Sequence, residues 1–110
     1  MSDQVILAAT TCPDEASAQV IASALVQERL ATCVNRIGGV RSTYFWDARL
    51  QDEAEILLIM KTTAGRLDEL RERLSALHPY ELPELLAIEV VGGNERYLDW
   101  VRMGVQRKGE

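Results

Sequence analysis

The run Ile56-Leu57-Leu58-Ile59-Met60 constrains this chain more than any other stretch. It lies within residues 53–63, which read as one long strand. Successive side chains of a strand point to opposite faces of the sheet, so five consecutive apolar residues make the strand apolar on both faces. Such a strand is buried on both faces, and something must cover the second side of its sheet as well as the first.

The other segments say what kind of sheet this is. Val5-Ile6-Leu7-Ala8-Ala9 is a short apolar run of strand length. Pro13 and Asp14 signal a helix start, and Ala16, Val20, Ile21, Ala24 and Leu25 then recur at helical spacing to about Leu30. Residues 33–46 read as extended, rich in Val, Ile, Thr and aromatic residues, with Gly38-Gly39 marking a bend or bulge. Residues 47–52 read as a turn region. After the second long strand, Leu67, Leu70, Leu74 and Leu77 define a helix whose other face is a mixed charge run, a solvated surface. Residues 85–91 read as a further strand closed by Gly92-Gly93, and Asn94 caps a last helix carrying Tyr97, Leu98, Val101 and Val105. The order is β-α-β-β-α-β plus a C-terminal helix: an α+β, ferredoxin-like split βαβ domain spanning residues 1–110. Two helices cover one face of such a sheet. The apolar second face therefore predicts burial against other copies of the chain.

Composition narrows the partners. A formal net charge of −5 argues against nucleic acid, whose phosphates require a clustered basic surface. Met1-Ser2-Asp3-Gln4 has no basic or apolar leader character, and no run is long enough to span a bilayer, so no membrane association is expected. Cys12 and Cys33 are too few for a disulfide framework and read as cytoplasmic thiols. There is no glycine-rich phosphate loop, no nucleophile elbow and no histidine besides His78 to serve as a base, so the chain is expected not to be an enzyme and to need no organic cofactor.

The polar chemistry concentrates in His78-Pro79-Tyr80-Glu81-Leu82-Pro83-Glu84. Its two prolines end the preceding helix and stiffen the segment. Imidazole beside carboxylates suits a borderline metal or a proton transfer. His78 has three readings: a metal ligand, a polar group in a pocket between subunits, or a helix-terminal residue serving free carbonyls. Glu81 and Glu84 are either solvated or oxygen donors to a cation. Cys12, beside a helix start where backbone N–H groups favour thiolate, is the better soft-metal contact; Cys33, among apolar neighbours, reads as buried and inert. Ser42, Tyr44 and Trp46 share a strand face, either as packing residues or as the wall of a ligand pocket. Glu55 and Lys61 also share a face but lie roughly 20 Å apart at strand rise, so each needs a partner from another strand or subunit. Tyr97 and Trp100 read as anchors of the last helix.

These pieces, in this order and spacing, resemble the CutA divalent-cation tolerance family over almost the whole chain, from Val5 to about Val105. The resemblance rests on Pro13-Asp14-Glu15-Ala16, Ala31-Thr32-Cys33-Val34-Asn35, Ser42, Tyr44, Trp46, Glu55, Lys61-Thr62, the 78–84 segment and Tyr97-Leu98-Asp99-Trp100. It implies a non-enzymatic homotrimer with the long middle strands packed about a three-fold axis, similar in architecture to the PII signalling proteins. It implies a role in tolerance of copper or other divalent cations, with direct copper binding in some members, and in animals an association with acetylcholinesterase assembly. On this basis the metal contacts are expected at His78, Cys12, Glu81 and Glu84. The alternative is a PII-like signalling or small-ligand-binding module whose cleft between subunits is lined by Tyr44, Trp46, Lys61, Tyr80 and Tyr97; the trimer interface is expected at Ser42, Glu55 and Trp100. The family's proposed copper ligands are a cysteine near the end of the first strand and a His-His pair. Those positions hold Thr10 and Leu77 here, leaving only His78, with Cys12 two residues beyond Thr10. A glycine frequent after the family's tryptophan is Ala48, which predicts a different turn between the long strands.

Overall fold

A computed structural model describes residues 3–107, so Met1 and Ser2 of the amino-terminal stretch lie outside the described residues. The elements are β1 (Val5–Cys12), α1 (Glu15–Gln27), β2 (Cys33–Trp46), β3 (Arg49–Thr63), a 3₁₀ turn (Ala64–Arg66), α2 (Leu67–Leu77), β4 (Leu86–Glu89) and α3 (Glu95–Gly104). The strands form one antiparallel sheet in the order β2-β3-β1-β4, the ferredoxin-like arrangement.

Register decides what each face carries, because directly paired residues share a face. Ala8, Thr10 and Cys12 of β1 pair with Met60, Leu58 and Ile56 of β3. This face packs under α1 and α2, through Ala18, Ile21, Leu25, Leu70 and Leu74. Each fully buried leucine here contributes ~1.5–3 kcal/mol. The apolar stripe of α1 runs through Ala18, Ile21, Ala22 and Leu25, not through Ala16, Val20 and Ala24; Val20 is exposed. Residues 18, 21, 22 and 25 follow the i, i+3, i+4, i+7 spacing more closely, and small alanines let the helix sit near the sheet. Asp14 caps α1 by accepting the Ser17 N–H at 2.8 Å, and this hydrogen bond holds its carboxyl below the usual range. Asn94 caps α3 in the same way.

The opposite face carries Leu7, Ala9 and Thr11 of β1 and Leu57, Ile59 and Lys61 of β3. Only α3 lies on it, at one end. Val5 packs there with Leu98 and Val101, and Lys61 Nζ sits 5.6 Å from the centre of the Tyr97 ring. The Thr32 hydroxyl donates to the Val101 carbonyl and buried Arg66 donates to the Val105 carbonyl, which together pin the end of α3. A Cβ on Gly104 would collide with Thr32, so glycine is what lets α3 approach this closely. The rest of the face is uncovered within one chain: Ile37, Leu86 and Ile88 are exposed, and Ile88 retains 62% of its surface.

Three boundaries differ from the sequence reading. β1 continues to Cys12, because its pairing with β3 runs through Ile56. β4 is confined to Leu86–Glu89, the extent of its pairing with β1. The expected turn region 47–52 contracts to two residues: Trp46 pairs with Arg49 and Leu50 with Phe45. Asp47 (φ 54°) and Ala48 (φ 59°) both adopt the left-handed conformation that a two-residue hairpin turn requires. Gly38-Gly39 is the expected bulge, with a register shift between Ile37 and Val40 and Gly39 at φ 81°. The β2–β3 hairpin therefore runs some seven residues beyond the end of β1, roughly 23 Å.

Candidate functional site

The projecting hairpin and the segment after α2 together make a cleft of about 720 Å³. Ser42, Tyr44 and Trp46 of β2 pair with Glu53, Gln51 and Arg49 of β3, so these side chains share one face with Glu55, the partner of Val40. Thr11 closes the inner end, and Pro79, Tyr80, Glu81, Leu82 and Glu84 form the loop wall. Four carboxylates, Glu53, Glu55, Glu81 and Glu84, face this space, and among the lining residues there is no lysine or arginine.

The loop is held in place by three hydrogen bonds. Tyr80 Oη donates to Glu55 Oε2 at 2.7 Å, across the base of the cleft. The Tyr80 backbone N–H donates to His78 Nδ1 at 3.1 Å. His78 Nε2 lies 2.8 Å from the Thr11 carbonyl oxygen. An amide N–H only donates and a carbonyl only accepts, so the pattern fixes the tautomer with the proton on Nε2. Pro79 and Pro83 restrict the backbone between these anchors.

The electrostatics of the cleft are those of crowded carboxylates. Burial, the hydrogen bond to Glu55 and the charges of Glu55 and Glu53 hold the Tyr80 phenol well above its usual range. The Tyr44 phenol is raised by partial burial and then by Glu53 and Glu55. Cys12 is fully buried, and burial, followed by the charges of Glu55 and Asp14, pushes its thiol up to about 11. This reverses the thiolate expected there. Cys12 ends a strand with its side chain under the helices, and the nearby charges are negative.

The expected metal set is not assembled. Cys12 Sγ and His78 Nε2 are 3.9 Å apart, but that nitrogen carries a proton engaged with Thr11 and the other accepts from Tyr80. Glu81 and Glu84 belong to the cleft wall. Among the described residues no group of three or more His, Cys, Asp or Glu side chains is placed to hold a metal ion. A thiol held protonated and an imidazole with both nitrogens committed do not fit a copper ion within one chain. The His78 ring serves the Thr11 carbonyl at the strand end, while its backbone N–H donates to the Leu74 carbonyl in the last turn of α2.

The expected cleft divides in two. Tyr44, Trp46 and Tyr80 come together, joined by Ser42 and Glu55. Lys61 and Tyr97 do not line this space. They stack at the α3 end of β3, where the Tyr97 and Trp100 rings are 5.4 Å apart, because six residues of strand rise separate Lys61 from Glu55. Trp100 is half-exposed, and Cys33, opposite Lys61, is partly buried and not fully enclosed as expected. Sequence reasoning missed Thr11, Thr43, Gln51, Glu53, Pro79 and Leu82 as lining residues. Alternation from Glu55 marks Glu53 and Gln51, but the second lay inside the segment read as a turn.

Fold and site define a ferredoxin-like α+β domain with a lateral acidic cleft. Residues 6–103 match the CutA1 divalent ion tolerance protein family, and the chain belongs to that family. It is 46% identical over 100 residues to the divalent-cation tolerance protein CutA of Thermus thermophilus, covering 91% of this chain and 95% of that protein. The crystal structure of CutA from Xylella fastidiosa superposes with a TM-score of 0.92 at 44% identity, covering 94% of this chain and 99% of that one. The rice chloroplastic protein CutA 1 is 39% identical over 97 residues, and the match spans 88% of this chain and 55% of that protein.

Proposed function

We propose that this protein serves divalent-cation tolerance, copper tolerance included, as a non-catalytic homotrimer whose working site is the carboxylate-lined cleft and not the Cys12–His78 pair. One observation carries the reading: the Tyr80–Glu55 hydrogen bond closes the 78–84 segment onto the hairpin around four carboxylates that no basic side chain among the lining residues neutralises. A concave, pre-formed site with aromatic walls is what a binding protein presents. The uncovered sheet face, with Leu86 and Ile88 exposed beside half-buried Leu57 and Ile59, supports self-association, and the homotrimer follows the family resemblance. The two free thiols support a cytoplasmic location, and among the described residues no helix is long and apolar enough to cross a membrane.

Complementation tests the assignment of the site. In cells lacking the gene, wild-type protein and Cys12→Ser are expected to restore growth at inhibitory copper or zinc, whereas Glu55→Gln with Tyr80→Phe is not. The opposite pattern returns the function to the thiol and imidazole. Light scattering at micromolar protein tests the assembly, and a monomer there would remove the homotrimer from the reading.

A further inference from the structure

We infer that the cleft takes an organic cation with amino groups at both ends of an aliphatic chain, a polyamine, in preference to a bare metal ion. The inference rests on the cleft being the working site. Its carboxylates come from two separate parts of the chain: Glu53 and Glu55 from β3, Glu81 and Glu84 from the loop. They surround a space of about 720 Å³ and do not converge to metal-ligand distance. A bare divalent ion needs several oxygens within ~2.0–2.6 Å, which this arrangement does not supply. A chain with an ammonium group at each end needs charge at two places and apolar contact between them. Tyr44, Trp46 and Leu82 provide that contact, with Trp46 and Tyr44 half-exposed. Ammonium groups also gain from the faces of tyrosine and tryptophan. No lysine or arginine lines the cleft to compete for the carboxylates; Glu55 already accepts from Tyr80, and the exposed Glu53, Glu81 and Glu84 are open to a ligand's ammonium groups.

The test is calorimetric titration of spermidine, putrescine and butylamine into the intact native protein. Circular dichroism of each variant confirms its fold. Spermidine is expected to bind saturably and more tightly than the monoamine. Glu53→Gln and Glu84→Gln, one on each side of the cleft, should each weaken it on the order of ten-fold through loss of a charge-assisted contact. Glu72→Gln, on the solvated face of α2, should leave it unchanged. Equal weakening by Glu72→Gln, or equal affinity for butylamine and spermidine, overturns the inference by showing diffuse attraction to an acidic protein. Zinc or magnesium binding that is lost in Glu53→Gln, without polyamine binding, overturns the inference and leaves the cleft as the site. If neither class of cation binds, both fall.

Discussion

Tyr80→Phe removes one oxygen and tests the bond that builds the site. Glu55 is 6% exposed, and its Oε2 accepts the Tyr80 hydroxyl at 2.7 Å, a charge-assisted contact. The phenyl ring keeps the packing against His78, whose ring centre lies 4.8 Å away, so the change acts almost entirely on the hydrogen bond. Loss of a donor to a buried charged acceptor costs ~1.5–3 kcal/mol. Glu55→Gln should cost less, about 1 kcal/mol, because an amide oxygen still accepts from the phenol. Urea denaturation at fixed protein concentration measures both, since association would make the midpoint concentration-dependent. The double variant should show a coupling of about 1 kcal/mol or more. A high-pH arm adds a signature. Because the folded Tyr80 phenol is raised above its unfolded value of ~10, its contribution is fully present below that pH and is lost as pH rises above it. Tyr80→Phe should flatten that decline. If Tyr80→Phe unfolds within ~0.5 kcal/mol of wild type with zero coupling to Glu55→Gln, the latch does not exist in solution and the site argument fails with it.

Cys12 should resist alkylation in the native protein at neutral pH and react on unfolding. Its thiol, raised from 9.0 to about 11, also predicts stability that is complete below pH 9 and falls between there and 11, a decline that Cys12→Ala should reduce. Ala48→Gly should raise stability by about 0.5–1 kcal/mol in thermal or urea melts, since Ala48 holds φ 59° at a cost glycine does not bear, partly offset by the freer unfolded chain. Thr10→Val should be neutral or stabilising by about 1 kcal/mol, because the Thr10 hydroxyl is fully buried without a hydrogen-bond partner; a clear loss of stability would reveal a partner for it.

The fold was legible because its signals are local. The double-faced run 56–60, the helical spacing of Leu70 and Leu74, and the caps Asp14 and Asn94 each specify an element without reference to distant residues. Gly38-Gly39 announced its bulge for the same reason. The hairpin tip was not legible. Asp47-Ala48 lacks the glycine that marks a two-residue turn, and the pairing of Trp46 with Arg49 overrides the local preference of Ala48. The cleft was half legible: alternation grouped Ser42, Tyr44 and Trp46, and the prolines flagged the loop. Direction at Cys12 was not, because a strand extended by pairing with Ile56 carried it into the core and away from the helix start.

His78 separates composition from geometry most sharply, and one variant decides between them. A lone histidine ahead of two carboxylates has a metal ligand among its readings, yet its two nitrogens join the Thr11 carbonyl to the Tyr80 amide and so tie the end of β1 to the loop. Metal binding at Nε2 would displace that proton and leave the Thr11 carbonyl without it; binding at Nδ1 would free the Tyr80 N–H. Either change gives up ~1 kcal/mol of hydrogen bonding and more where the orphaned group stays buried. It would also loosen the segment that presents Tyr80 to Glu55. His78→Ala should therefore destabilise the metal-free protein by ~2–3 kcal/mol, since both bonds and a buried ring are lost. Hydrogen exchange locates the effect. The Tyr80 amide, and with it the 78–84 segment, should exchange faster in His78→Ala, while Leu70 and Leu74 in α2 keep their protection. Were His78 a ligand held in reserve for a metal, exchange in the metal-free variant would match wild type and differ only after copper is added. Accelerated exchange without any metal makes the imidazole a strut of the cleft.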